Sequence, residues 1–548
     1  MSGNNWHFMN VQQDSDPATC MSFKGAQWKI SALSDVSPDD VEEQEIFVTS
    51  SHNDKEKFDE AKREEIAKWI ELEAFEEVPF TGQTCISTRW VLTKKLKNNQ
   101  MVYKARLVAR GFEEDTSTLQ TDSPTCSKET LRLALCILAS NSWKLHSLDV
   151  KSAFLQGQPI NRDVFLKPPA QANARGVWHL LKCIYGLADA GRHWFLRVLE
   201  ELIALGAKQC KFDGALFMWY DADVLCGIVI IHVDDMLFGG TEKFHTTVIN
   251  TLYSTFKVGS TSDTCFTYIG LEVNQSDTKI ELSMKKYIDN MSEMVLTSSG
   301  SDKKAKLSQE SVRYLKQVSG QINWAVTQCR PDLAYENCYI GNCTKSSCVG
   351  DIHVANKVIR QLKSRNVSLS FHCGTDFSTC YLVSFCDASF GSLPNGGSQG
   401  AFLTVLVDKF GIYAPISWQS RRIRRVVKST IAAECLAAIE AAESTYLLAK
   451  TLEDIFGNKS VIQTIICSDN RGLCDSVYAT TSVEDKRLFI DICVLRDMIQ
   501  NEEINDFRWV STDFQVSNAL TKQGASAFSL VQLLNNKMKF NLSNLMFE

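Results

Sequence analysis

The stretch Ile230-Ile231-His232-Val233-Asp234-Asp235-Met236-Leu237-Phe238-Gly239-Gly240 sets two adjacent carboxylates between two apolar runs and closes the second run with Gly-Gly. Gly227 to Val233 is rich in β-branched residues and reads as a strand, with Met236 to Phe238 as its partner. The pair makes a hairpin that carries Asp234 and Asp235 at its tip. An Asp-Asp tip alone is an ordinary solvated turn, because Asp is a common turn former. A second apolar run changes that reading. Leu145-His146-Ser147-Leu148-Asp149-Val150 also delivers an Asp at a strand end, followed at once by Lys151-Ser152-Ala153-Phe154. Carboxylates from two separate strands can converge on two divalent metals roughly 3.5–4 Å apart, the arrangement that in-line phosphoryl transfer uses. Mg²⁺ suits such a site, since it takes carboxylate and phosphate oxygens and retains several waters, with Mn²⁺ as the alternative ion.

The same device recurs downstream. Cys380-Tyr381-Leu382-Val383-Ser384-Phe385-Cys386 is a strand ending at Asp387. A Gly-rich turn and two further strands lead to Trp418, and Ser429-Thr430-Ile431-Ala432-Ala433-Glu434 opens an Ala-rich helix that runs to about Lys450. A strand from Val461 to Cys467 then ends in Ser468-Asp469-Asn470. Asp387, Glu434 and Asp469 thus stand at a strand end, an early helical turn and a strand end, a spread that can hold a second metal pair. Between them Arg421, Arg422, Arg424, Arg425 and Lys428 form the densest basic run in the chain. Such a run is either a solvated face or a track for phosphates.

The whole chain sets bounds on these readings. Its 548 residues are 44% hydrophobic, enough for several cores, so three or more domains are expected. A net charge of −6 is not that of a simple nucleic-acid binder, although local basic patches decide such binding. The 19 cysteines include no C-x-x-C pair, which predicts free thiols in a reducing compartment. No apolar run reaches membrane-span length and no signal peptide is recognised, so a soluble intracellular protein without a membrane partner is expected. Residues 1–54 are polar and predict a disordered extension. Apolar spacing from Phe58 to Phe75 predicts an amphipathic helix over 55–76. Residues 85–112 read as a strand pair in which Lys104, Arg106 and Arg110 alternate with apolar residues, placing the charges on one face.

Leu148-Asp149-Val150-Lys151-Ser152-Ala153-Phe154-Leu155, Ile184-Tyr185-Gly186-Leu187 and His232-Val233-Asp234-Asp235 occur in this order, preceded by Lys104-Ala105-Arg106-Leu107-Val108-Ala109-Arg110-Gly111-Phe112. Together they resemble the reverse transcriptase portion of copia-type LTR retrotransposon Pol polyproteins, a resemblance that covers roughly residues 60–525. It implies an α/β (α+β) chain: a right-hand polymerase of fingers and palm, a connection segment and a C-terminal RNase H-like domain. The expected divisions are 1–54, an extension; 55–296, reverse transcriptase; 297–375, linker and connection; 376–525, RNase H-like; and 526–548, a tail. The implied function is RNA- and DNA-directed DNA polymerisation with associated RNase H.

Under this resemblance Asp149, Asp234 and Asp235 are the polymerase carboxylates, with Asp149 and Asp234 on the metals. Asp387, Glu434 and Asp469 are the RNase H set. Asn518, in Ser517-Asn518-Ala519-Leu520-Thr521-Lys522, replaces the usual Asp as a fourth metal position that offers no charge. Lys104 and Arg106 would meet nucleotide phosphates, and Phe154 would abut the sugar and select dNTPs. Arg192 and the basic run from Arg421 to Lys428 would contact nucleic acid. Asp189 stands where relatives carry Gln, and an acceptor-only carboxylate near phosphates would repel them, which puts the template-side contact in doubt. The implied partners are an RNA template, a tRNA-type primer, an RNA–DNA hybrid and dNTPs, in a cytoplasmic virus-like particle with nuclear access left open. No integrase zinc module is found, so a C-terminal Pol portion is expected. The alternative is a decayed or domesticated remnant that binds nucleic acid without catalysis, which Asp189 and Asn518 favour.

Overall fold

The computed structural model describes residues 54–97, 100–295, 302–343, 347–393, 396–457, 460–480 and 483–547, together with 45–47; residues 45–47 and 95–97 are described by backbone alone. The chain divides into two compact units, Met1–Asp122 with Ser152–Arg197 and Ser123–Lys151 with Val198–Glu548. The segment expected as one reverse transcriptase domain is therefore shared between the two.

In the first unit, helix Lys55–Glu71 buries Phe58, Ala61 and Trp69. The predicted hairpin is present as strands Thr88–Lys97 and Gln100–Ala109. The predicted extension needs one correction: Glu45–Phe47 forms a strand on the edge of that hairpin, with Glu45 opposite Lys95. Residues 1–44 and 48–53 lie outside the described residues. The first helix also stops short of the predicted end. Glu73 takes a left-handed φ of 50°, and Phe75–Val78 turns into a strand against Val177–Leu180. There Phe75 stacks on Trp178 at 4.0 Å. An apolar residue at helical spacing does not reveal that turn.

The second unit begins with α1 (Lys128–Ser140), capped by the Ser127 side chain, and β1 (His146–Val150). Strands β2 (Ala207–Gln209), β3 (Leu216–Asp221), β4 (Val224–His232), β5 (Asp235–Gly240) and β6 (Val258–Ser262) join it in one sheet. The order is β6-β1-β5-β4-β3-β2, so the hairpin β4–β5 lies directly beside β1. The inner residues of β4, Ile228 and Ile230, are fully buried, as the unbroken apolar run predicts for a strand covered on both faces.

A second sheet follows, of β7 (Cys265–Tyr268), β8 (Leu271–Gln275) and β9 (Lys279–Ser283), completed by β10 (Leu369–His372). The expected connection segment thus supplies a strand to the preceding part and is not a separate module. The rest of its described residues are mostly helical, with α2 (Gln309–Gln328) and helices Ala334–Cys343 and Val349–Ser364; residues 297–301 and 344–346 of the expected segment lie outside the described residues.

The last sheet contains β11 (Thr379–Ser389), β12 (Gln399–Asp408), β13 (Tyr413–Arg422), β14 (Val461–Ser468) and β15 (Asp506–Trp509) in the order β13-β12-β11-β14-β15. The first three pair antiparallel and the last two parallel. The long α3 (Thr430–Phe456) lays its alanine face, Ala433, Ala437 and Ala441, on this sheet. The described residues 526–547 of the expected tail are packed. Helix Phe528–Leu534 and strands Phe540–Asn541 and Met546–Phe547 pack onto the sheet, with Phe547 against Phe385 and Tyr413. Burying a Phe stabilises by roughly 1.5–3 kcal/mol, enough for two such residues to hold a short segment in place.

One buried cation ties these layers. Arg132 of α1 is 2% exposed; it donates to the carbonyls of Ile416, Thr327 and Gln328 and lies 3.7 Å above the Trp418 ring. Three carbonyls and an aromatic face replace the carboxylate that a buried guanidinium usually needs.

Candidate active sites

Strand register places the first carboxylate set. Asp235 is the direct cross-strand partner of Asp149, and the Val150 amide donates to the Asp234 carbonyl at 3.1 Å. The hairpin closes with His232 opposite Asp235, leaving Val233 and Asp234 as a two-residue turn. Such turns require a positive φ, and Val233 supplies it at 59°. A β-branched residue in that region is strained by about 1–3 kcal/mol, so surrounding structure fixes the tip. All three carboxylates are half-buried. On the far side of β1, a Cβ at Gly259 of β6 would collide with the Asp149 Oδ2 atom, so only glycine leaves that carboxylate its place.

The second set converges more tightly. One oxygen each from Asp387, Glu434 and Asp469 lies within 4.8 Å of the others, which among the described residues is not the case for the first set. Ser429 caps α3 by accepting from the Ala432 amide, which fixes the helical turn that carries Glu434. Asp387 and Glu434 are buried. Burial, before any other cause, raises the Asp387 pKa to about 6, against hydrogen bonding from Thr521 and the Lys522 charge. Burial, then repulsion by Asp387 and Asp469, raises Glu434 to about 9. The Glu434 Oε2 atom is buried without a hydrogen-bond partner. Close, desolvated, mutually repelling oxygens with one left unsatisfied fit a divalent cation. Asn518 turns elsewhere: its amide oxygen accepts from Lys522 at 2.8 Å and its nitrogen donates to the Thr512 carbonyl. Lys522 Nζ in turn lies 3.8 Å from Asp387 Oδ2.

In the first unit, Lys104 and Arg106 are exposed on one face of their strand while Ala105 and Leu107 are buried, as alternation predicts. Arg106 approaches the Tyr185 ring at 6.0 Å, and Phe154 meets the same ring edge-on at 4.8 Å, so the three form a row. Arg192 is held by Asp122 at 2.7 Å and Gln120 at 2.8 Å. Asp189 corrects the sequence argument. Its carboxylate is buried and faces no exposed surface; it accepts from Arg162 at 2.9 Å and lies 3.5 Å from His193. Against the cost of burial, His193 and Arg162 lower its pKa to about 2. Arg162 also pairs with Glu114. The unit thus holds a buried charge network that sequence spacing did not reveal, because Glu114, Arg162 and Asp189 are distant in the chain. Cys183, Asp189 and His193 also come within 4.8 Å of one another, but the Arg162 charge on Asp189 opposes a cation there.

The basic run is largely paired. Arg421 binds Glu440, Arg425 binds Asp491, and Lys428 stands 3.8 Å from Asp485. Arg424 is exposed.

Residues 76–308 match the reverse transcriptase (RNA-dependent DNA polymerase) family. The chain is 25% identical over 471 residues to the retrovirus-related Pol polyprotein from transposon RE1 of Arabidopsis thaliana, covering 81% of this chain and 31% of that one. It is 23% identical over 516 residues to its counterpart from transposon TNT 1-94 of Nicotiana tabacum, covering 88% and 38%. The chain therefore spans about a third of the length of these relatives. Among solved structures, the foamy viral protease-reverse transcriptase dRH in complex with double-stranded DNA aligns with a TM-score of 0.50 at 11% identity, over 83% of this chain and 70% of that one. The fold is that of a polymerase joined to an RNase H-like sheet. No helix among the described residues is long and apolar enough to cross a membrane.

Proposed function

We propose that this chain, a relative of the copia-type retrotransposon Pol polyproteins with a reverse transcriptase domain at residues 76–308, is an RNA- and DNA-templated DNA polymerase with an associated RNase H. The observation that carries the reading is the register of β1 and β5, which sets Asp149 opposite Asp235 beside the strained Asp234 turn. Asp149 and Asp234 would hold Mg²⁺, with Asp235 completing the acidic cluster; Asp387, Glu434 and Asp469 would hold it in the second set. When bound, the ions supply Lewis-acid activation of the attacking hydroxyl and charge stabilisation of the leaving group.

The residues do the positioning. The left-handed Val233 and the β1–β5 pairing hold the Asp234 and Asp149 carboxylates in place. Gly259 leaves room for one of them. Within their own unit, Lys104 and Arg106 would bind the phosphates of an incoming dNTP, and Phe154 would pack on its sugar. Arg192 and the run from Arg421 to Lys428 would contact nucleic acid, weakly where carboxylates already hold them. The substrates are taken to be an RNA template with a tRNA-type primer and then the RNA–DNA hybrid, in a cytoplasmic particle.

In the second set Glu434 and Asp387 would release protons as a cation enters, since both are raised by burial. Asn518 supplies no charge, so RNase H would run with a weakened cation site. That same feature favours the second reading, a nucleic-acid-binding remnant without catalysis. The test is dNTP incorporation on primed poly(rA) with Mg²⁺, comparing this chain with Asp234→Asn. Incorporation abolished by the substitution supports the polymerase. Folded protein that binds primer–template without extending it supports the remnant.

A further inference from the structure

The pairing within the basic run points to a use other than a phosphate track. With Arg421 on Glu440, Arg425 on Asp491 and Lys428 near Asp485, a duplex backbone would compete with carboxylates already in place. Among the described residues no carboxylate is paired with Arg424. It is exposed and borders a cavity of about 310 Å³ between β12, β13 and α3. Phe402, Ile423, Leu436 and Ile439 give the cavity an apolar part, and its polar lining holds Arg424 beside the paired Arg421 and Glu440. Gly400 lies at the base, where a Cβ would touch Ala437 and Ile423 at 3.4 Å and reduce the depth.

An apolar floor beside guanidinium groups fits a planar, weakly polar ring that carries a phosphate. Guanidinium recognises phosphate by paired hydrogen bonds and also stacks on rings. The volume is at the lower end of the roughly 300–1,000 Å³ of small-ligand sites, so it admits one nucleotide and not a helix. Paired bases are stacked inside a duplex, and only an unpaired nucleotide offers base and phosphate together.

We propose that this cavity binds one unpaired nucleotide, its base on the floor of Phe402, Ile423, Leu436 and Ile439 and its phosphate on Arg424, with Arg421 kept on Glu440. The nucleoside monophosphate unit comes either from the end of an RNA or DNA strand or from a free nucleotide. The choice of a nucleotide over other planar phosphates rests on the proposed nucleic-acid function. Binding is read without turnover, so a failed polymerase assay leaves this inference standing and an unused cavity leaves the polymerase reading standing.

The test is fluorescence anisotropy of the full chain with a 5′-phosphorylated, 3′-labelled dA tetranucleotide, with AMP as competitor. Ile439→Trp, which fills the cavity from a half-buried position, is expected to weaken binding by about tenfold or more, the usual worth of one stacked base. Arg424→Gln, at an exposed position that does not threaten folding, is expected to weaken it as well. Affinity for a blunt RNA–DNA hybrid stays unchanged in Ile439→Trp. Displacement of the tetranucleotide by AMP assigns the site to free nucleotides, and failure of AMP to displace it assigns the site to strand ends. Unaltered tetranucleotide affinity in both variants, or no tetranucleotide binding at all, overturns the proposal.

Discussion

The two carboxylate sets reach their places by different routes. Asp149, Asp234 and Asp235 sit on neighbouring antiparallel strands, half-buried, and hydrogen-bonded register alone puts Asp149 opposite Asp235. Asp387, Glu434 and Asp469 come from a strand, a helix and the end of another strand, and two of them are buried in apolar surroundings. A site set by register needs no desolvation and tolerates an unfilled state. A site set by convergence adds repulsion to burial, and the two together, burial first, drive Glu434 to a pKa of about 9.

The sharpest way to break this comparison is to remove one carboxylate from each set. Asp234→Asn is expected to lower dNTP incorporation by on the order of 10³-fold while RNA-strand cleavage persists, and Glu434→Gln is expected to do the reverse. Loss of both activities in either variant, measured on one labelled hybrid, would mean that the sets do not work separately. Next in size is Gly259→Ala. Its Cβ collides with the Asp149 carboxylate, so incorporation should fall by about 10–100-fold, as when a metal ligand loses its support. Cleavage should be untouched and the circular dichroism spectrum unchanged. Wild-type incorporation in this variant would show that the Asp149 position is not what the register makes it.

The same contrast explains what the sequence disclosed. The hairpin at Asp234-Asp235 was legible because alternation, β-branched runs and Gly-Gly are local signals, and β4 and β5 lie where those signals put them. The second set was legible as strand ends and a helix start, because Ser429 caps and Asp469 terminates in ways that leave local marks. What stayed hidden is what long-range contact decides. Asp189 was read as facing phosphate, yet Arg162 and His193 bury it. The basic run reads in the sequence as either a solvated face or a phosphate track, yet Glu440 and Asp491, later in the chain, neutralise part of it. Phe540 and Phe547 sit in two-residue strands too short to show a period, so a packed end was read as a tail. Arg132, a charge inside an apolar helix, gave no hint that carbonyls from two other segments would satisfy it.

A smaller effect is expected at the missing fourth acid. Asn518 is occupied by Lys522, which also stands 3.8 Å from Asp387. Asn518→Asp would add a charge and draw Lys522 off Asp387. The Mg²⁺ concentration for half-maximal RNA cleavage should then fall by about tenfold, with incorporation unaffected. An unchanged Mg²⁺ requirement would place the weakness of the site elsewhere, and the remnant reading would gain.

The smallest effect is one of linkage, and it separates the sets without any catalysis. Asp387 and Glu434 have folded pKa values of about 6 and about 9, above their ordinary 3.8 and 4.5. Their protonated forms therefore favour the fold fully below about pH 4, and that contribution is lost as pH rises through about 6 and then about 9. In EDTA the melting temperature should decline from pH 5 to pH 9, by a few degrees. Mg²⁺ binds the charged forms and must displace those protons, so its stabilisation should grow over the same interval. Glu434→Gln removes the group that titrates highest and should flatten the upper part of the decline, whereas Asp149→Asn should leave it intact. A Mg²⁺ gain in melting temperature that is equal at pH 5 and pH 8.5 would show that the repulsion at the convergent site is relieved by something other than protons, Lys522 first among the candidates.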